Sequence, residues 1–185
     1  AAKGAPEAIV DLCHLPAEQR ELIAARVTAL AEGGLRVLGV AKAVCSAAPL
    51  PDHQHAFEFE YLGLLGLADP VRPAVPGALA ESHAAGVRTL MITGDHPATA
   101  MAIARQIGLD TSAGHLTGAE LEALSSEALG ARLRTVNVYC RVSPDHKLRL
   151  VLALKANGEI TAMTGDGVND APALKAAHIG IAMGG

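Results

Sequence analysis

Ile23, Val27, Leu30 and Ala31 recur three and four residues apart, which predicts one apolar face of a helix that opens at Pro16 and stops at Gly33-Gly34. Ahead of it, Pro6 to Cys13 predicts a shorter helix with proline in its first turn. Leu35 to Ala43 comes next as a strand, and 47–56, with two prolines, Asp52 and two histidines, reads as a loop. From Tyr61 the texture changes. Short apolar runs at Leu62–Ala68, Val87–Ile92, Val136–Cys140, Ile160–Met163 and Ile179–Met183 predict strands. Helical patterns lie between them at Ala74–Ala85, Ala98–Ile107, Gly118–Leu133, Pro144–Ala156 and Ala171–Ala177; in the second, Ala100, Ile103, Ala104 and Ile107 make one stripe. Such alternation predicts an α/β fold with a doubly wound parallel sheet covered on both faces, preceded by a smaller α+β unit. The boundary is expected near residue 60, giving units 1–60 and 61–185.

Composition narrows this picture. Half of the 185 residues are hydrophobic but only 2% are aromatic and tryptophan is absent, so the core has to be built from Ala, Leu, Val and Ile. A net charge of −4 with no Lys/Arg block argues against a nucleic-acid surface. Cys13, Cys45 and Cys140 are odd in number and far apart, which reads as reduced thiols rather than a disulfide frame or zinc site. No uncharged apolar run approaches the ~18 residues of a membrane span, and no signal peptide is visible. The chain is therefore expected to be soluble.

The chemistry concentrates near the C-terminus, in Thr164-Gly165-Asp166-Gly167-Val168-Asn169-Asp170-Ala171-Pro172-Ala173-Leu174-Lys175. An apolar strand runs into two acids four residues apart, and a helix comes after them. This presents carboxylates at the C-terminal edge of a parallel sheet, where α/β folds bind ligands. Asp166 and Asp170 can share one hard cation, and magnesium suits two carboxylates plus phosphate oxygens and water. An acidic turn capping the next helix would carry the same letters.

Two other strand ends offer complementary groups. Thr93-Gly94-Asp95 comes directly after Val87–Ile92 and offers a hydroxyl and a backbone N–H to a phosphate oxygen, while Asp95 also suits the N-cap of the next helix. In Arg141-Val142-Ser143-Pro144-Asp145-His146-Lys147, Ser143 can cap a helix that Pro144 opens. Lys147 then stands in its first full turn, either as a phosphate-binding cation or as a solvated surface lysine. His53 and His55 lack a third ligand nearby and read as solvated loop residues.

These segments resemble, in order, the motifs of P-type cation-transporting ATPases, within the haloacid-dehalogenase superfamily. The match includes Lys3-Gly4-Ala5-Pro6-Glu7 and Asp69-Pro70-Val71-Arg72 and covers Lys3 to Gly184. The resemblance implies an ATP-driven pump working through an aspartyl-phosphate, with Mg2+ and ATP as cofactors. It implies a nucleotide-binding domain over 1–60 and a haloacid-dehalogenase-like phosphorylation domain over 61–185. By the same resemblance Asp166 is a direct magnesium ligand, Asp170 supports the metal shell, Asn169 donates to phosphate, Lys147 clamps the phosphoryl group, and Thr93 and Gly94 bind its oxygens. Lys3, Gly4, Arg36, Arg72, Asp95 and Arg141 are implied near the nucleotide; Arg36 reads otherwise as a strand-edge charge and Arg141 as the partner of a nearby acid. His178 stands where the family usually has an acid and is expected to be a tolerated surface change.

The family's phosphorylated Asp-Lys-Thr-Gly-Thr occurs nowhere in the sequence. The expectation is a catalytically incomplete fragment whose partners are ATP and the missing N-terminal part of the same polypeptide, on the cytoplasmic face of a membrane protein, with no nucleic acid. Motif wording points to the calcium-pump branch. A soluble haloacid-dehalogenase-type phosphatase and a non-catalytic nucleotide- or magnesium-binding module are the competing readings.

Overall fold

The computed structural model describes residues 1–44 and 52–183, so Cys45, 47–51 of the expected loop and Gly184 lie outside the described residues. The chain divides into two compact units, Ala1–Pro70 and Val71–Gly185. The first contains β1 (Ala2–Gly4), α1 (Pro6–Leu12), α2 (Ala17–Glu32), β2 (Arg36–Lys42) and β3 (Glu60–Leu67), with a 3₁₀ turn at Gln54–Ala56. Its sheet is antiparallel in the order β1-β2-β3.

The periodicity that marks α2 is the one that buries it: Ile23, Val27 and Ala31 are all in the core. β2 alternates, with Val37, Gly39 and Ala41 turned inward. Gly39 is required there, because a β-carbon would stand 2.9 Å from Cβ of Ile9 on α1. His55 lies 4.0 Å from Asp11 and its ring packs at 5.6 Å from that of His14.

The second unit begins with α3 (Val75–Ala84), β4 (Met91–Ile92), α4 (Pro97–Gln106), β5 (Leu116–Thr117), α5 (Gly118–Ala123) and α6 (Ser126–Arg132). It continues through β6 (Val138–Cys140), α7 (Pro144–Ala156), β7 (Ala162–Gly165), a 3₁₀ turn at Val168–Asp170, α8 (Ala171–Ala176) and β8 (Ile179–Ala182). All its strand pairs are parallel, in two sheets ordered β4-β6-β5 and β7-β8. Every residue of β6 is buried. Val138 and Cys140 pack against Ala100 and Ala104 of α4. Tyr139 packs on the opposite face with Leu121, Leu129 and Leu150 from α5, α6 and α7. This is the α/β, doubly wound architecture that the alternation predicts, with helices on both faces of a parallel strand.

Several elements differ from expectation. The strand expected at Leu62–Ala68 forms as β3 but pairs antiparallel with β2, so the compact units divide after Pro70 rather than near 60. An apolar run does not distinguish parallel from antiparallel pairing, and a partner close in sequence wins here. The helix expected over Gly118–Leu133 is two, because Leu124 is extended and Ser125 caps a new start by accepting from Ala128 N–H. β4 begins only at Met91, where the N–H first finds the Asn137 carbonyl. His178 is exposed, as a surface position would be, and its Nδ1 accepts from the Thr161 N–H at 3.1 Å.

Two buried acids make the stability of the second unit depend on alkaline pH. Burial pushes the Tyr139 hydroxyl up to about 12 from 10.0 and the Cys140 thiol up to about 11 from 9.0. Above each ordinary value the unfolded chain gives up protons that the folded chain keeps, so the unfolded state binds fewer and stability falls with rising pH. Denaturant melts should show this contribution whole below pH 9 and declining from about 9 to 12. Cys140→Ala should flatten the part between 9 and 11.

Candidate functional site

Two groups of side chains stand at the C-terminal ends of the parallel strands. The first is Thr93-Gly94-Asp95, directly after β4. The Thr93 N–H donates to the Tyr139 carbonyl at 2.9 Å, and the Thr93 carbonyl accepts from the Val142 N–H at 3.1 Å. The Arg141 N–H donates to the Asp95 carbonyl at 3.2 Å, tying the end of β4 to the residues after β6. The Thr93 hydroxyl donates to Asp95 Oδ2 at 3.0 Å and accepts from the Asp95 N–H at 3.1 Å. Asp95 is not the N-cap of α4. His96 holds that place, its Nδ1 accepting from the Ala98 N–H, because the Asp95 carboxylate is directed back to Thr93.

The second group joins α7 to the turn after β7. Ser143 caps α7, Pro144 opens it and Lys147 lies one turn in. Lys147 Nζ donates to Asp170 Oδ1 at 2.5 Å, and both side chains are largely buried, at 22% and 8% exposure. A charge-assisted bond this short, away from water, fixes both groups. Gly165 closes on the same carboxylate, since a β-carbon there would stand 2.6 Å from Asp170 Oδ2 and 2.8 Å from Asp170 Cβ. Asp166 and Asn169 are exposed on the turn between them. The two groups belong to different sheets, which no strand pairing joins among the described residues. Nor do three acid, His or Cys side chains gather as a metal cage among those residues.

The donor set still suits magnesium, which needs one or two carboxylates and fills the rest of its shell with phosphate oxygens and water. Asp166 is the exposed hard donor, whereas one oxygen of Asp170 is already held by Lys147. Arg72 is exposed in the segment before α3, where its carbonyl accepts from the Val75 N–H. Arg141 sits between β6 and α7 with a φ of 52°, the left-handed region that a non-glycine residue occupies only at a cost.

In the first unit, Lys3 pairs in register with Val40. Strand alternation therefore puts Lys3, Val40, Leu38 and Arg36 on the sheet face opposite α1. Leu65 and Leu67 of β3 lie in register with Leu38 and Arg36, and are 51% and 47% exposed. This face is apolar and flanked by two cations. Gly4 pairs with Gly39 and lies on the other face, 3.9 Å from Ile9 Cδ1 by its notional β-carbon.

Sequence reasoning passed over His146, Glu122 and Gly118. His146 is buried at the third position of α7, its Nδ1 accepting from the Ser143 N–H and its Nε2 lying 2.9 Å from Glu122 Oε1. The signal was Ser143-x-x-His146, with imidazole where a capping box ordinarily has Glu or Gln.

A family model described as haloacid dehalogenase-like hydrolase matches residues 6–178. The probable cation-transporting ATPase F of Mycobacterium tuberculosis is 43% identical over 198 residues, 99% of this chain and 22% of that protein. A calcium-transporting ATPase of Listeria monocytogenes is 56% identical over 124 residues, 66% of this chain and 14% of the relative. One of Bacillus subtilis is 47% identical over 157 residues, 84% and 18% respectively. The chain thus spans 14% to 22% of the length of these relatives.

Packing makes a direct prediction. Gly165→Ala should lower the unfolding free energy by about 1–3 kcal/mol through overpacking, and the loss should shrink in an Asp170→Ala background, where the clash partner is gone. Denaturant melts of the four proteins decide it; additive losses would mean that Gly165 and Asp170 do not press on each other.

Proposed function

The chain belongs to the haloacid dehalogenase-like hydrolases, with cation-transporting P-type ATPases as the relatives it matches, and we propose that it forms cytoplasmic catalytic machinery of an ATP-driven cation pump. The observation that carries the reading is the Lys147–Asp170 pair at the C-terminal edge of the parallel strands, beside the exposed carboxylate of Asp166. The pump works through an aspartyl-phosphate. Its transport activity, calcium as the cation, and the place at a bacterial plasma membrane belong to this proposal; among the described residues no helix is long and apolar enough to cross a membrane.

The nucleophile is a carboxylate on another segment of the polypeptide. β4 hydrogen-bonds only β6, and β7 only β8, so each offers a free edge among the described residues. A further parallel strand between those edges would deliver an aspartate to the strand ends where Thr93 and Asp166 stand. The carboxylate attacks the γ-phosphorus of ATP and ADP leaves. Lys147 places its ammonium on the transferring phosphoryl oxygens, with Asp170 holding it in line. Thr93, the Gly94 N–H and Asn169 donate to the remaining oxygens. Magnesium, held by Asp166 with Asp170 in support, supplies charge neutralisation of the phosphoryl group when bound.

The face of the β1-β2-β3 sheet bearing Lys3, Arg36, Leu38 and Leu65 suits ATP. Its aliphatic surface covers the base, and the two cations take phosphates, the guanidinium in forked fashion. In this reading Gly4 contributes backbone alone.

In the intact polypeptide, Lys147→Ala should slow phosphoenzyme formation by on the order of 100-fold, the usual effect of removing one preorganised charge from the transition state. Acid-quenched labelling with radioactive ATP measures it, and an unchanged rate removes Lys147 from the site. Asp166→Asn should raise the magnesium concentration for half-maximal labelling more than Asp170→Glu does. Equal small shifts would leave the turn a structural feature only.

A further inference from the structure

We propose that His146 is the positioning residue for Lys147: with Glu122 it locks the first turn of α7 onto α5 in one rotational setting. The inference rests on the reading of Lys147 as the phosphoryl clamp and adds how that lysine is aimed.

Each link is a contact in the second unit. Ser143 Oγ accepts from the His146 N–H at 3.3 Å, and the Ser143 N–H donates to His146 Nδ1 at 3.1 Å. Because Nδ1 accepts, Nε2 carries the proton and donates to Glu122 Oε1. The imidazole thus closes the cap of its own helix and reaches the neighbouring helix with the same ring, which a glutamate at this position could not do as a donor. Gly118 opens α5 against that ring: a β-carbon there would stand 2.8 Å from His146 Nδ1 and would collide with the Arg141 carbonyl oxygen. One turn further along α7, Arg149 donates to the carbonyls of Leu121 and Leu124 at the end of α5. His146 and Arg149 are three residues apart and share a helix face. Lys147, about 100° around the axis from His146, turns instead to Asp170.

Rotation of α7 about its own axis is the motion this bracket prevents. A lysine nitrogen stands roughly 8 Å from its helix axis, so turning the helix by about 10° moves it by more than about 1 Å. A displacement of that size at a reacting group costs on the order of 100-fold in rate. Glu122 is 73% exposed at its side chain, so it contributes little to the core and its role is directional.

The test measures phosphoenzyme formation by the intact polypeptide over a range of ATP concentrations up to saturation, in wild-type and Lys147→Ala backgrounds, with thermal melting of each variant. His146→Ala and Glu122→Ala should each slow formation about 10-fold or more and leave the ATP half-saturation unchanged. Glu122→Gln, which keeps the acceptor, should stay within about 3-fold of wild type, the loss expected of a weaker neutral hydrogen bond. In the Lys147→Ala background neither alanine variant should slow the reaction further, because the group they aim is gone. Equal slowing in both backgrounds, or no slowing in the wild type, overturns the role of His146 and leaves Lys147 as the clamp. A Lys147→Ala enzyme of full rate overturns the clamp itself and this inference with it. If His146→Ala does not fold, exposed Glu122→Ala and its glutamine rescue decide the question alone.

Discussion

The second unit depends on the double-sided burial of β6. The strand is paired with β4 on one edge and β5 on the other and is packed on both faces, which holds it in place. Val138 and Cys140 fix α4; Tyr139 fixes the layer of α5, α6 and α7. Where β6 ends, its neighbours have nowhere else to go. The Tyr139 carbonyl holds Thr93, and Arg141 bends into the left-handed region so that Ser143 can open α7. One short apolar strand thus sets the Thr93 group and the start of α7, at the edge where α/β folds customarily place their chemistry.

A second layer of constraint lies in the charged groups, and it is of a different kind. Apolar packing fixes where helices lie but leaves their rotation loosely determined, since one methyl group is much like another. Lys147 with Asp170 on one side of α7, and His146 with Glu122 and Arg149 with the α5 carbonyls on another, are directional contacts. Together they select one azimuth for a helix whose cation has to meet a small target. Burying such groups is costly unless each is partnered, and here the ammonium and the carboxylate satisfy one another.

How much of the fold and site is legible in the sequence depends on how local each determinant is. The α2 stripe, the Ser143-Pro144 opening of α7 and the acidic turn after β7 are written in residues within a few positions of one another, and they are readable. The pairing direction of β3 is not, because a leucine-rich apolar run suits either kind of ladder and the choice is made by β2. The break between α5 and α6 is hidden in a helix-favouring stretch, where only Ser125 marks a new cap. The exchange of the α4 cap from Asp95 to His96 depends on a hydroxyl two residues back. His146 is the hardest, since its partner Glu122 lies 24 residues away and a histidine is an unusual letter in a capping box.

Gly165 shows what this interlocking means for the range of sequences the fold can accept. A glycine in a turn is ordinarily explained by backbone freedom, but here the lack of a side chain makes room for the Asp170 carboxylate. Any larger residue at 165 asks for a smaller one at 170, and a smaller one at 170 deprives a largely buried ammonium of its counter-charge. The three positions therefore cannot drift one at a time: each single step passes through a crowded or an unneutralised intermediate. One hydrogen atom on one α-carbon restricts the evolutionary choices open to two charged residues, one of them eighteen positions earlier in the chain.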